Sequence, residues 1–163
     1  MGEIEIPEGL TTAVYLARRK GAGTLVLCEV DGLNDKKAIY GRSAIARMLS
    51  ELKELFAKHF KGYGEKLGEE RLYSVLPGSG DHRTTADNFR RAVEEFNFLG
   101  ELKSFRATVS IGMATLAQSG SVVKLLELAT TALREVQAAG GNRVKLAPKH
   151  RLGKSERNRP RPK

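Results

Sequence analysis

The chain has no tryptophan and one cysteine, Cys28, among its 163 residues. A lone cysteine cannot close an internal disulfide, so a disulfide-stapled scaffold is excluded and the fold must rest on its core. Cys28 lies inside an apolar run, where a thiol behaves as a small buried hydrophobe and is expected to be inert. The three histidines form no spaced cluster with it, which leaves a structural zinc site without a ligand set. There is no Gly-x-Gly-x-x-Gly stretch and no Walker-type loop, so the common phosphate cradles are missing. No apolar run approaches the roughly 18–20 residues that span a bilayer, and no membrane association is expected. The start, Met1-Gly-Glu-Ile-Glu-Ile-Pro7, is acidic and lacks the basic and apolar regions of a signal peptide, so a cytoplasmic location is expected.

What is present is an ordinary globular composition, 40% hydrophobic and 29% charged, with a net charge of +9. The charge is uneven. Residues 149–163 hold seven Lys or Arg against one Glu, which leaves the rest of the chain only mildly basic. That segment has two prolines and almost no apolar residues, so burial cannot offset its ordering entropy and it is expected to be a disordered tail. The division is then a domain over residues 1–148 and a basic tail over 149–163. Such a tail is suited to contact nucleic acid through its phosphates, although it has no aromatics on which bases could stack.

Periodicity supplies the elements. Residues 10–20 read as a short helix ending at Gly21-Ala-Gly23. Residues 24–30 form a continuous apolar run of strand length, expected at the centre of a sheet with both faces covered. Asp31-Gly-Leu-Asn-Asp35 reads as a loop. Ile45, Met48, Leu49, Leu52, Leu55, Phe56 and Phe60 recur at intervals of three and four, one stripe of a long helix over residues 42–60. A strand over 71–76 closes at Pro77-Gly-Ser-Gly80, and Thr84 or Thr85 is expected to cap a helix through Phe98 that turns Phe89, Ala92, Val93 and Phe96 inward. A strand over 105–116 precedes a helix that Ser121 caps and that Gly140 and Gly141 end. A last strand covers residues 143–147. The order α-β-α-β-α-β-α-β suits either a parallel α/β sheet or a mixed α+β palm, and periodicity alone does not choose.

A resemblance does choose. Phe105-Arg-Ala-Thr-Val-Ser-Ile-Gly-Met-Ala-Thr-Leu116, followed by a helix leaving through Ala138-Ala-Gly-Gly-Asn-Arg143, is similar to the last third of a GGDEF domain, the diguanylate cyclase family. Gly9-Leu-Thr-Thr-Ala13 loosely resembles the family's opening turn. Glu29-Val-Asp-Gly-Leu-Asn-Asp-Lys-Lys-Ala-Ile-Tyr-Gly-Arg42 is similar to its Asp-Ile-Asp-x-Phe-Lys-x-Ile-Asn-Asp-x-Tyr-Gly-His stretch, in register without a gap. Gly68-Glu-Glu-Arg-Leu72 then stands where the signature Gly-Gly-Asp-Glu-Phe would be. The resemblance covers roughly residues 9–147 and implies an α+β palm, a ferredoxin-like mixed sheet flanked by helices.

It also implies what chemistry to look for. Joining two GTP molecules needs divalent metal held by carboxylates. The first metal position of the family falls on Glu29 and the second on Glu70, both still carboxylates, with Asp31 holding the register between them. Other positions differ. The second signature glycine, where backbone approaches nucleotide, is Glu69, and the fourth signature position is Arg71. The guanine contacts of the family fall on Lys37 and Ala46, its phosphate-binding Lys on Gln137, and an Arg on Gly141. The product-inhibition motif Arg-x-x-Asp is absent upstream of the hairpin. The resemblance therefore implies a degenerate member that has lost catalysis and serves as a regulatory or binding module, with a nucleotide or a protein as its partner. No cofactor is expected, or Mg²⁺ if the vestigial site still holds a nucleotide. Two alternatives stand beside it: a metal-dependent nucleotidyl transferase using Glu29, Asp31 and Glu70, and a nucleic-acid-associated protein acting through residues 149–163.

Overall fold

A computed structural model describes residues 6–61, 63–67, 70–99 and 105–148. The expected basic tail lies outside the described residues, as do Gly68 and Glu69 of the signature segment. The first helix, α1 (Glu8–Arg19), leads into β1 (Gly23–Val30). The long helix α2 (Leu33–His59) and the strands β2 (Tyr63–Leu67) and β3 (Arg71–Pro77) follow. Then come α3 (His82–Glu95), β4 (Val109–Thr115), α4 (Val122–Ala138) and β5 (Val144–Leu146). The strands form one sheet in the order β2-β3-β1-β4-β5. β1 is antiparallel to both neighbours, whereas β4 and β5 run parallel. This is the mixed α+β palm, and the parallel alternative is overturned.

β1 is the central strand, and its uninterrupted apolar character follows from that place. Val26, Cys28 and Val30 face one core with Met48 and Phe56 of α2, Phe89 of α3, and Ile111 and Met113 of β4. Leu25 and Leu27 face the other with Leu10 of α1 and Leu126, Ala129 and Leu133 of α4. Alternate side chains of one strand thus anchor two helical layers. Phe89 lies edge-on to Phe56 and Phe60, with centroids 5.2 and 5.3 Å away, which locks α3 onto α2.

Burial removes the Cys28 thiolate from solvent and, with help from the nearby charges of Asp31 and Glu29, raises the thiol pKa well above its ordinary value. Native protein should accordingly leave Ellman's reagent unconsumed, and one thiol per chain should titrate once denaturant is added. Rapid labelling without denaturant would contradict the placement.

Several boundaries differ from the sequence expectation. β2 is an additional strand, paired antiparallel to β3 from Tyr63↔Val75 to Leu67↔Arg71. It sits at the sheet edge, where a strand can carry Gly64, Glu65 and Lys66 rather than an apolar run. The expected loop at residues 31–35 is shorter, because Gly32 adopts a left-handed conformation (φ 64°) and α2 starts at Leu33. Inside α2, Gly41 is non-helical (φ 87°, ψ 167°), so the eight residues before it form a separate helical segment. Asp81, not Thr84 or Thr85, caps α3, its carboxylate accepting from the Thr84 amide at 3.0 Å. That helix ends at Glu95, which leaves Phe96 beyond it and exposed. β4 begins at Val109 rather than Phe105 because its partner β1 ends opposite, at Val30. Ser121 caps α4 as expected, through the Lys124 amide at 3.1 Å.

Candidate functional site

Of the predicted site residues, Glu29, Lys37, Glu70, Arg71 and Gln137 gather where the ends of β1 and α4 meet the start of α2 and of β3. Three features of the chain bring them there. Glu29 is on the same face of β1 as Leu25 and Leu27, the face that α4 covers. The antiparallel register places Glu29 directly opposite Arg71, so their side chains rise side by side from adjacent strands. Arg134 and Gln137 are three apart on α4 and therefore share a helix face, turned here toward Glu29.

The result is a carboxylate surrounded by donors. Glu29 Oε1 accepts from Arg134 at 2.9 Å and from Gln137 Nε2 at 2.7 Å, and Oε2 lies 3.2 Å from Arg71 Nε. Arg134 also donates to Gln137 Oε1 at 2.6 Å, which fixes the amide between them. The Glu29 side chain is only 18% exposed, so these charge-assisted bonds act in a poorly hydrated setting and are stronger than exposed pairs. One acid faces two guanidinium groups, and the cluster carries a surplus positive charge.

Glu70, the other carboxylate expected at a metal position, is ion-paired with Lys37. The two side chains are 37% and 42% exposed, so the bridge contributes little to stability but sets where both groups point. Lys37, on which the family's guanine-contact position falls, is turned to the hairpin.

Asp31 does not join Glu29 and Glu70. Its Oδ1 accepts from Ser110 Oγ at 2.5 Å, and its Oδ2 accepts from Thr108 Oγ1 at 2.7 Å and the Asn142 amide at 2.9 Å. Its own amide donates to the Thr108 carbonyl at 2.9 Å. Gly141 explains itself in the same contact. It has φ 77°, and a Cβ there would fall 2.8 Å from the Asp31 carboxylate atoms. Asp31 and Gly141 thus join the start of β4 to the exit of α4.

Two adjoining clefts open beside these groups. One, of about 240 Å³, is lined by Glu29, Asn34, Asp35, Glu70 and Gln137. The other, of about 330 Å³, lies between α2 and β3 and is lined by Ala46, Leu49, Lys53, Glu70, Arg71 and Leu72. Glu70 borders both. Ala46 presents only a methyl group to the second cleft, where the resemblance places a base contact. Asp31 and Gly141 border neither. Among the described residues no three His, Cys, Asp or Glu stand together as a metal-binding group.

Arg134 is the site residue that sequence reasoning missed. Its signal was the i, i+3 spacing to Gln137 on the polar side of α4, but its acidic partner lies 105 positions earlier in the chain. His82 also gains an unexpected partner, Thr24, with Nδ1 and Oγ1 2.7 Å apart, at the opposite end of β1 from the clefts. A larger cleft of about 620 Å³ between α3 and β5 contains none of the predicted residues. Its Arg90 is bonded to Asp87 at 2.8 Å and Asn142 at 3.0 Å.

No curated protein sequence matches the chain significantly. Solved structures do. The chain is similar to the active GGEEF domain of a diguanylate cyclase from Vibrio cholerae, at 17% identity over 85% of this chain and 91% of that one, with a TM-score of 0.73. It is similar to the GGDEF domain of DgcB from Caulobacter crescentus, solved in complex with c-di-GMP, at 20% identity over 85% of each chain and a TM-score of 0.75. It also resembles the diguanylate cyclase SiaD of Pseudomonas aeruginosa, solved with its activator SiaC, at 18% identity over 86% of this chain and 56% of that one, with a TM-score of 0.75. At such identities the likeness carries the fold. The sequence profile described as "Diguanylate cyclase, GGDEF domain" matches residues 5–143, and with the mixed sheet and the placed hairpin this establishes that the chain belongs to the GGDEF family.

Proposed function

We propose that this GGDEF domain does not synthesise cyclic di-GMP and works as a regulatory binding module in the cytoplasm, recognising a nucleotide or a protein partner. The observation that carries the reading is that the polar groups at the family's nucleotide-contacting positions bond to one another. Lys37 pairs with Glu70, and Gln137 and Arg71 both engage Glu29. Ala46 has no polar group to offer a base. A substrate entering the groove must break these contacts before making its own, at a cost that is largest around Glu29, the least exposed of the groups, and small at the half-exposed Lys37–Glu70 pair. The occupied carboxylates and the missing base contact at Ala46 together oppose the ordering of two GTP molecules for reaction.

Purified protein incubated with GTP and Mg²⁺ or Mn²⁺ should release no cyclic dinucleotide over hours. Steady turnover that disappears in the double variant Glu29→Gln/Glu70→Gln would overturn the reading. It would favour the metal-dependent transferase, which the shared position of those two carboxylates on one cleft recommends. A thermal-shift panel of GTP, ATP and cyclic dinucleotides then separates a nucleotide sensor from a protein-binding module. A ligand present at a hundred times its dissociation constant adds about 2.7 kcal/mol of apparent stability. No cofactor is required in this reading, and Mg²⁺ would enter only with a nucleotide. The complex of SiaD with its activator shows that a relative engages a protein, which supports a partner of that kind. Nucleic-acid contact through residues 149–163 remains a separate activity, tested by salt-dependent binding that is lost on truncation.

A further inference from the structure

We infer that the guanidinium of Arg71 takes the place of a divalent cation in the groove, so that this domain excludes metal from the position where its family holds it. The inference rests on the reading of the groove as a non-cyclase and names the residue responsible. The donor set does not fit Mg²⁺. A magnesium ion needs carboxylate oxygens with lone pairs directed into open space and a near-octahedral set of oxygens around it. Both oxygens of Glu29 already face nitrogen donors, Arg71 at 3.2 Å and Arg134 and Gln137 at 2.9 and 2.7 Å. Glu70 is bound to Lys37.

The charges argue the same way. The acids Glu29, Glu70 and Asp35 on this cleft are offset by the cations Arg71, Arg134 and Lys37, so an incoming dication must displace a cation already paired with Glu29 or Glu70. At Glu29, 18% exposed, the Arg71 guanidinium opposes a second cation at short range with only partial screening by solvent. Arg71 is the decisive member, for two reasons. It springs from the strand residue directly opposite Glu29, so its head is held over the carboxylate by the sheet register. It also stands where the signature has an acid, so the substitution changes the local charge by two units. A guanidinium cannot shed its proton to admit metal at any ordinary pH.

The test is a Mn²⁺ titration followed by electron paramagnetic resonance, where bound ion loses the free-ion signal. Wild-type protein should leave the signal at the buffer value up to millimolar Mn²⁺. Arg71→Glu should take up one ion per chain with at least a tenfold gain in affinity, and adding Glu29→Gln to it should remove that gain. Arg71→Gln reports on the same point without a second carboxylate opposite Glu29 and should show a smaller gain, which keeps the test open if Arg71→Glu folds poorly. Stoichiometric Mn²⁺ binding by wild-type protein that Glu29→Gln abolishes would overturn the inference while leaving a negative GTP assay untouched. So would folded Arg71 variants that bind no more Mn²⁺ than wild type. GTP turnover, by contrast, would sink the non-cyclase reading whatever the metal titration showed.

Discussion

Replacing Gly112 with alanine should cost about 3 kcal/mol or more, at the upper end of what overpacking does. Gly112 is in the middle of β4, and α4 crosses directly above it. A Cβ added there would lie 2.2 Å from the Ala129 carbonyl oxygen, 2.6 Å from the Leu133 nitrogen and 3.0 Å from its Cα. Those are backbone atoms of a helix, so no side-chain rotation relieves the clash and α4 as a whole must rise from the sheet. The displacement would open contacts around Leu125, Leu126, Ala129 and Leu133, all fully buried, in a core that tolerates little change in volume. For a domain of this size the loss corresponds to roughly 10 °C in melting temperature. Gly120→Ala serves as the control, since a Cβ there meets nothing within 4 Å and the change should stay within about 0.5 kcal/mol. Equal urea midpoints for the two variants would show that the close approach does not exist. Arg134 and Gln137 ride on the same helix, so the Glu29 cluster should loosen with it.

Much of this arrangement is legible in the sequence, and the unread parts have definable causes. The apolar run of β1 announces a strand covered on both faces, and the spacing of Ile45, Met48, Leu52 and Phe56 announces the buried stripe of α2. A glycine inside a strand, as at Gly112, signals that another backbone comes near, but not which one. β2 is hidden because an edge strand owes its existence to the hydrogen bonds of β3, not to a pattern of its own. The start of α2 is hidden because a single left-handed residue, Gly32, replaces the turn that the composition of residues 31–35 suggests. In the site, the resemblance picks out the acids Glu29 and Glu70, which border one cleft, but not the partners they bond to. Arg71 is read as a missing acid until the register sets it against Glu29. Arg134 has no place in the signature motifs at all. Substituted residues are visible to a sequence comparison as departures; what they do instead depends on distances between segments that the chain separates by 33 to 108 positions.

Asp31→Ala should destabilise the domain by about 3 kcal/mol, whereas Glu70→Gln should cost under about 1 kcal/mol. The two acids look alike in sequence, each near the expected metal position, and the structure assigns them opposite natures. Asp31 accepts three hydrogen bonds, from Ser110, Thr108 and the Asn142 amide. Ser110 is completely buried, so removing the carboxylate strands its hydroxyl away from water, the costliest way to lose a hydrogen bond. The Asn142 amide belongs to a residue in the left-handed region, φ 55°, and loses the acceptor that helps to hold the α4 exit in that form. Asp31→Asn should fall between, because an amide oxygen can satisfy one side of the site while its NH₂ group meets the donors of the other. Glu70 makes only a half-exposed pair with Lys37 and should be missed little. Urea denaturation of the three variants therefore separates a structural acid from a site acid without any ligand. A ranking in which Glu70→Gln costs as much as Asp31→Ala would mean that the hairpin, and not the β4–α4 junction, depends on its carboxylate for folding, and the site would have to be rebuilt around Glu70.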